Sequence, residues 1–208
     1  MIMRNYRLRF WTLALLLPLV GTDSWSDNLT QPDPRRVVEE LQNALIETMQ
    51  RFGRDTLQAR FTHLAPRIKT AFDFETISRI VCGRSWLEMN EVKKSEFIAI
   101  FRNLSTATYA DNFASYSGEL FEIIEVKIDS NKAVVKTEMH RSSGSNISLV
   151  YLLQENSGQW KIINVISEGV SDLSLKRSEY DSIIKSKSLE ALMDGLKRQL
   201  AKHGLDFS

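Results

Sequence analysis

The sequence predicts an α+β fold in which helices cover a four-stranded antiparallel meander. Two observations predict the sheet: four runs rich in β-branched and aromatic residues follow one another, and only short polar turns separate them. The runs span residues 120–128, 133–141, 147–154 and 160–166. Connections this short cannot cross over a sheet, so consecutive runs must pair antiparallel. The helical layer is predicted by a third observation, the helical spacing of apolar residues on both sides of these runs.

The second and third runs predict how the sheet is oriented. In the second run, Val135, Thr137 and Met139 share one face, and Lys136 and Glu138 lie on the other. The third run is apolar on both faces, which is typical of a central strand. A meander of this size cannot bury its apolar face alone. Helices from the N-terminal and C-terminal parts of the chain, or a ligand in an apolar cavity, must therefore cover it.

The helical segments are bounded by residues that favour helix ends. Asp33 followed by Pro34 predicts the start of the first helix, and Gly53 predicts its end. The second apolar stripe contains Pro66, which predicts a kink or two short helices. The longest helical pattern spans residues 92–116, and two further patterns follow the sheet. No long linker interrupts these elements, so they predict one domain.

The first residues have the pattern of a cleavable signal peptide. Three arginines precede an unbroken apolar run over residues 10–20. This run is too short to span a bilayer comfortably, which favours cleavage over anchoring. Ser24 and Ser26 place small residues at the positions that a signal peptidase reads. We predict a signal peptide over residues 1–26 and an exported domain over residues 27–208, with an uncleaved anchor as the alternative.

Charge and cysteine content exclude two classes of protein. Removal of residues 1–26 takes away three arginines and Asp23, so the formal net charge of +1 becomes about −1. A near-neutral domain of this kind has no electrostatic basis for binding nucleic acid. Cys82 is the single cysteine, which excludes an intramolecular disulfide. Its neighbours Ile80 and Val81 favour a buried thiol.

No set of residues in the sequence predicts catalysis, a metal or a cofactor. The three histidines lie far apart and lack the spacing of metal ligands. Ser182 and Lys185 fit a Ser-x-x-Lys pattern, but the motifs that accompany it in known enzymes are missing. The faces predicted to point inward carry Thr137, Tyr151 and Asn164 instead of carboxylates or histidines. We therefore predict a binding protein whose cavity holds an apolar molecule.

Several blocks of the sequence carry a family resemblance. They are residues 60–74 (RFTHLAPRIKTAFDF) with 83–86 (GRSW), residues 108–119 (TYADNFASYSGE), residues 160–165 (WKIINV), and residues 169–171 (GVS) with 177–180 (RSEY). In this order they resemble the signature of the periplasmic lipid-binding MlaC, or toluene-tolerance, family. Residues 109–122 and 177–180 are most similar to its hopanoid-associated branch, HpnM. Asn164 stands where the family usually has Asp, and Lys176 where the phospholipid branch often has Tyr.

The resemblance implies a soluble periplasmic carrier that holds the tails of a phospholipid or of a hopanoid-like lipid between sheet and helices. It also implies partners: an inner-membrane ABC-type lipid transporter complex and an outer-membrane lipoprotein complex, each contacted transiently as lipid passes between the membranes. Two alternatives stay open. One is a small NTF2-like enzyme on a similar cone-shaped sheet, and the other is a structural adaptor whose cavity is closed by side chains.

Ten residues are predicted to line the lipid cavity because they lie on the inward face of the sheet or on the apolar stripe of the longest helix. They are Phe97, Phe101, Leu104 and Tyr109 on the helix, and Val135, Met139, Leu149, Tyr151, Leu153 and Ile162 on the sheet. Apolar stripes of this kind also form ordinary protein cores, so each residue has core packing as its alternative role.

Overall fold

The protein is described by a computed structural model over residues 33–205, so the predicted signal peptide and its cleavage position lie outside the described residues. Five helices come first: α1 (Pro34–Phe52), α2 (Leu57–Ala71), α3 (Phe74–Cys82), α4 (Ser85–Glu88) and α5 (Glu91–Asn112). The strands are β1 (Leu120–Asp129), β2 (Lys132–His140), β3 (Ile147–Asn156), β4 (Gln159–Ser167) and β5 (Val170–Ser171). Two helices follow, α6 (Asp172–Ser186) and α7 (Leu189–Lys202).

The strands form one antiparallel sheet in the order β1-β2-β3-β4-β5. The predicted meander is therefore confirmed, and β3 lies at its centre, as its two apolar faces indicate. The sheet has one strand more than predicted. Strand β5 has only two residues, Val170 and Ser171, which pair with the end of β4. A strand this short contains no alternation that a sequence pattern could reveal.

The predicted division of the sheet into an apolar and a polar face is present in β2. Val135 and Thr137 are buried, whereas Lys136 between them is exposed. Helices α1, α2, α3 and α6 contact the sheet, and α7 packs behind them on α5 and α6. N-terminal and C-terminal helices thus cover the apolar face together, as predicted. Within residues 33–205, no helix combines the length and the apolar character needed to cross a bilayer.

A β-bulge in β4 changes which of its residues point inward. Leu153 pairs with Ile162 but Leu152 pairs with Asn164, so β4 holds one extra residue at this point. Because side chains alternate along a strand, the extra residue places Asn164 on the face of Leu152, opposite to that of Tyr151. The prediction that Asn164 shares the inward face with Tyr151 is therefore wrong. Strict alternation of side chains counted from Ile162 gives the wrong face for Asn164, because the bulge adds one residue between them.

The Asn164 side chain instead joins β4 to the start of α6. Its Oδ1 accepts a hydrogen bond from the Leu173 backbone N–H at 3.3 Å, and its Nδ2 donates to the Ser171 hydroxyl at 3.1 Å. The Ser171 Oγ in turn accepts from the Ser174 N–H at 3.1 Å and caps the helix. These contacts satisfy N–H groups that a helix start leaves without intrahelical partners.

The helix ends follow the sequence signals with two differences. The Asp33 carboxylate accepts from the Arg35 N–H at 2.9 Å and begins α1, as predicted. Helix α2 runs unbroken from Leu57 to Ala71 with Pro66 inside it, so two separate short helices do not form. Helix α5 ends at Asn112, four residues before the end of the predicted pattern.

One buried core joins the helices to the sheet. Its members include Leu41 and Leu45 of α1 and Val135, Leu153 and Ile162 of the sheet, each no more than 1 % exposed. Burial of this apolar surface supplies the main driving force for folding. Cys82 belongs to the same cluster, which confirms the prediction of a buried thiol.

A buried polar contact ties α1 to the centre of the sheet. The Gln42 side chain is only 3 % exposed, and its Nε2 donates to the Thr137 hydroxyl at 3.0 Å and to the Tyr151 hydroxyl at 3.4 Å. The side chains of its two partners, Thr137 and Tyr151, are each 2 % exposed. A buried amide is tolerated in an apolar core only when it is hydrogen-bonded, so this contact fixes α1 over β2 and β3.

Two of the sequence blocks that carry the family resemblance meet in the structure. The Arg177 guanidinium of α6 donates to the Ile80 carbonyl of α3. It also packs against Gly83, whose φ of 56° lies in the left-handed region that favours glycine. Nearby, the Tyr180 ring meets the Phe97 and Phe101 rings edge-on, with both centroid distances at 6.3 Å. Residues 83–86 and 177–180 thus form a structural contact between α3 and α6.

Replacement of Gln42 tests the polar contact at the centre of the sheet. Gln42→Ala leaves two buried hydroxyls without their amide partner, so we expect the free energy of unfolding to fall by about 1–3 kcal/mol. Urea denaturation followed by circular dichroism measures this change. Asn43 is the matched control, because it is the next residue of α1 and is exposed. Equal stabilities of Gln42→Ala and Asn43→Ala would contradict the role given to Gln42.

Candidate functional site

An apolar chamber lies at one end of the sheet, between its inward face and helices α5 and α6. Its volume is about 580 Å³. The sheet wall consists of Met139, Ile147, Leu149, Tyr151, Val165, Ser167 and Val170, with Arg141 at the edge. The helical wall and mouth consist of Met49, Thr108, Tyr109, Asn112, Phe113, Ser115, Glu119, Asp172 and Leu175. Such a volume falls within the range of about 300–1,000 Å³ typical of ligand-binding pockets.

The chamber exists because the helices cover the inward face of the sheet unevenly. Val135 and Leu153 lie towards the covered end and are 0 % and 1 % exposed. Met139 and Leu149 lie on the same face towards the other end, where they are only half-buried and line the chamber. Along β2 and β3, one continuous apolar face is therefore protein core at one end and cavity wall at the other.

A second, smaller cavity of about 100 Å³ adjoins the chamber. It lies between α3, α5 and α6, beside β4. Its walls are formed by Phe72, Phe74, Ile77, Phe101, Leu104, Ser105, Thr108, Tyr109, Ile163, Asn164, Val165, Asp172, Leu173, Lys176, Tyr180 and Gln199. Four residues line both spaces: Thr108, Tyr109, Val165 and Asp172. The two cavities are therefore neighbours that share one short stretch of wall.

The ten residues predicted to bind lipid fall into two groups in the structure. Six line a cavity: Phe101 and Leu104 line the smaller one, Met139, Leu149 and Tyr151 line the larger one, and Tyr109 lines both. The other four are core residues that line neither space: Phe97, Val135, Leu153 and Ile162. The structure thus brings six of the predicted residues together around two adjoining cavities, and their role in binding stays a prediction.

Several cavity-lining residues were missed by sequence reasoning. Val165 faces the chamber because of the bulge in β4, since it pairs with Tyr151. Val170 and Leu175 form part of the chamber wall although they are 52 % and 59 % exposed, which makes them an apolar rim at its mouth. Their position depends on the short strand β5 and the turn into α6.

Two tyrosine hydroxyls of the chamber wall lie in buried surroundings. Burial, together with the nearby Tyr151 and Asp172, holds the pKa of Tyr109 well above its ordinary value. Burial also raises the pKa of Tyr151 to about 12, although the hydrogen bond from Gln42 opposes this rise. Both groups are therefore neutral at physiological pH. Neutral phenols can donate hydrogen bonds, but with pKa values this high they do not supply a phenolate base near neutral pH.

Charged groups also line the chamber. They are the carboxylates of Glu119 and Asp172 and the guanidinium of Arg141, whose Nε donates to the Ser145 carbonyl of its own loop at 2.9 Å. In residues 33–205, the side chains of His, Cys, Asp and Glu form no group of three or more that could hold a metal ion. The chamber therefore combines apolar walls with a few charged side chains.

This chain matches the model of a known protein family. The family model described as MlaC protein matches residues 35–198, which include the sheet and most of the helical layer. The chain belongs to the MlaC family. The resemblance indicated by the sequence blocks is confirmed at this level. Its closer similarity to the hopanoid-associated branch stays a prediction.

A solved structure shares the fold. The chain is similar to the phospholipid-binding protein from Ralstonia solanacearum, which was solved in complex with a phospholipid. The TM-score is 0.74 at 18% sequence identity, and the match covers 83% of this chain and 99% of that one. At this identity the likeness shows the fold. The α+β architecture predicted from the sequence is therefore also the architecture of a solved phospholipid-binding protein.

The buried phenol of Tyr151 in this MlaC family member generates a prediction for alkaline pH. Tyrosine ionises near pH 10 in an unfolded chain, whereas burial raises the pKa of Tyr151 to about 12 in the folded state. The stability that this group contributes is therefore complete below about pH 10 and is lost as the pH rises towards 12. We expect the free energy of unfolding to fall there by up to about 1.4 kcal/mol per pH unit for this group.

Urea denaturation at a series of alkaline pH values measures this loss. Tyr151→Phe removes the ionisable group, so the decline of stability with pH should become shallower. Tyr116→Phe is the matched control, because Tyr116 is 42 % exposed, and it should keep the slope of the unmodified protein. A slope unchanged by Tyr151→Phe would show that Tyr151 does not drive the alkaline loss.

Proposed function

We propose that this protein is a periplasmic lipid carrier that shelters lipid tails in the chamber between sheet and helices. The chamber itself carries this proposal. It offers about 580 Å³ of space that is open at one side and walled by Met139, Leu149, Phe113 and other apolar side chains. Membership of the MlaC family and the shared fold of a phospholipid-binding protein support the same conclusion.

The energetics of tail burial support a tight carrier. Each buried methylene contributes about 0.8 kcal/mol, so about twelve methylenes contribute roughly 10 kcal/mol before the cost of ordering. Contacts to the head group are therefore unnecessary for tight binding. Glu119, Asp172 and Arg141 in the chamber wall carry mixed charge, so the chamber offers no single-sign field for an anionic head group.

The lipid is a phospholipid or a hopanoid-like lipid under this proposal. A phospholipid is supported by the shared fold of the Ralstonia solanacearum protein. A hopanoid-like lipid is supported by the similarity of residues 109–122 and 177–180 to the HpnM branch. Mass spectrometry of lipid that co-purifies from a bacterial periplasm distinguishes the two directly.

The proposal includes export and transfer between membranes. The arginine, apolar and small-residue pattern of residues 1–26 supports export by a cleavable signal peptide and a mature domain over residues 27–208. Family membership supports transient contact with an inner-membrane ABC-type lipid transporter complex and an outer-membrane lipoprotein complex. The exposed apolar rim at Val170 and Leu175 supports a handover of lipid at the mouth, because such a rim can join an apolar surface of a partner.

A carrier role accounts for the site better than the two alternatives do. A closed adaptor would have its cavity filled by side chains, whereas this chamber is open. An enzyme of the NTF2-like kind would need a general acid or base whose pKa lies near the working pH. The buried phenols of Tyr109 and Tyr151 do not meet this need, because their pKa values are raised further from neutrality. The proposal therefore includes neither a catalytic residue nor a cofactor.

Introduction of a charge into the chamber wall tests lipid binding. Leu149→Asp places a carboxylate among the tails, where an unpaired charge is strongly unfavourable, so we expect at least a tenfold loss of bound lipid. Native mass spectrometry of the purified protein measures the loaded fraction. Val150→Asp is the matched control, because Val150 is the next residue of β3 and points to the opposite face. Equal lipid loading in both variants, with both folded, would refute tail binding in this chamber.

Export is tested separately by the N-terminus of the mature protein. We expect protein recovered from the periplasm of a Gram-negative host to begin near Asp27, because the predicted cleavage site follows Ser26. N-terminal sequencing measures this directly. A control with the three arginines at positions 4, 7 and 9 replaced should accumulate unprocessed. Recovery of a membrane-bound product that begins at Met1 would refute the cleavage.

A further inference from the structure

Tyr109 of α5 lies where the two cavities meet. It is one of the four residues that line both spaces, and it is the only aromatic residue among them. The others are Thr108 beside it on α5, Val165 of β4 and Asp172 at the start of α6. The boundary between the cavities is therefore a neck formed by one helix, one strand and the start of a second helix.

The aromatic neighbours of Tyr109 belong to different cavities. The Phe72 ring lies 5.8 Å from the Tyr109 ring, and of the two cavities Phe72 lines only the smaller one. The Phe113 ring stacks on the Tyr109 ring at 6.0 Å, and of the two cavities Phe113 lines only the larger chamber. The Tyr109 ring is thus in contact with an aromatic residue of each space.

The neck is also polar, unlike most of the chamber wall. The Tyr109 hydroxyl lies in a buried environment in which Tyr151 and Asp172 are its electrostatic neighbours. A methylene chain gains little where it meets hydroxyl and carboxylate groups instead of apolar surface. The Asp172 carboxylate, which stays in place when Tyr109 is replaced, therefore acts in the same direction as the ring and discourages entry of a tail into the smaller cavity.

We propose that the Tyr109 ring is a partition that sets how deep a lipid tail can reach, and hence the tail length that the protein prefers. This inference rests on the proposed function, because it concerns the tails of the lipid held in the larger chamber. With the ring in place, a tail ends at the neck, and the smaller cavity of about 100 Å³ stays separate. Without the ring, the two spaces join and a longer tail can enter.

The expected size of the effect follows from tail burial. A methylene that finds apolar surface raises affinity about fourfold, whereas a methylene beyond the neck raises it little in the unmodified protein. Affinity should therefore rise with tail length and then level off. Loss of the ring should move this plateau to longer tails and raise affinity about fourfold for each additional methylene that enters the smaller cavity.

The experiment compares variants across phosphatidylglycerols that differ only in the number of methylenes per tail. Competition between tail lengths is measured by native mass spectrometry on the delipidated protein, and a urea melt of each variant checks its folding. Tyr109→Ala removes the ring, and Tyr109→Leu is a milder change in case the alanine variant does not fold. Tyr109→Phe keeps the ring. Phe72→Leu enlarges only the smaller cavity.

The inference predicts longer preferred tails for Tyr109→Ala and Tyr109→Leu, and unchanged preferred tails for Tyr109→Phe and Phe72→Leu. An unchanged preference in folded Tyr109→Leu would overturn it. A shift of the same size in Phe72→Leu would also overturn it, because that change leaves the partition in place. Failure of the unmodified protein to bind any member of the series would overturn its role as a phospholipid carrier, and the inference with it.

Discussion

The structure depends on one constraint: the meander has an apolar inward face along its whole length, and the helices cover only part of it. At the covered end, Val135 and Leu153 are as fully buried as any core residue. At the other end, Met139 and Leu149 lie on the same face and line an open chamber. The apolar surface that drives folding and the surface available to a ligand therefore belong to the same strands.

The boundary between core and chamber lies at the buried contact of Gln42 with Thr137 and Tyr151. Tyr151 belongs to both regions, because it is buried in the core and lines the chamber. Its hydroxyl is held by Gln42 from α1, so the position of the helix and the shape of the chamber are coupled through one amide group. Because the buried Gln42 amide is hydrogen-bonded at this boundary, it fixes one arrangement of helix and sheet. Apolar packing alone would allow several.

The sequence predicts the fold better than the site because the two depend on different information. Alternation in β2 identifies its inward face, but the extra residue in β4 places Val165 instead of Asn164 on the face of Tyr151, and no residue pattern marks that bulge. The apolar stripes of helices also fail to identify cavity-lining residues, for another reason. Phe97 and Phe101 lie one turn apart on the same stripe, yet Phe101 lines the smaller of the two cavities described above and Phe97 lines neither. Both positions require apolar side chains, so the sequence cannot distinguish packing from lining.

The buried thiol of Cys82 provides an internal probe of the motions that open the helical layer. The residue is 5 % exposed, and burial raises its pKa to about 12, so neither access nor ionisation favours its reaction in the closed state. A thiol reagent can therefore modify it only when α3 separates from the packed layer. Since the chain has one cysteine, the labelling rate reports this event alone, and its change on ligand binding measures how far a cargo rigidifies the helical layer.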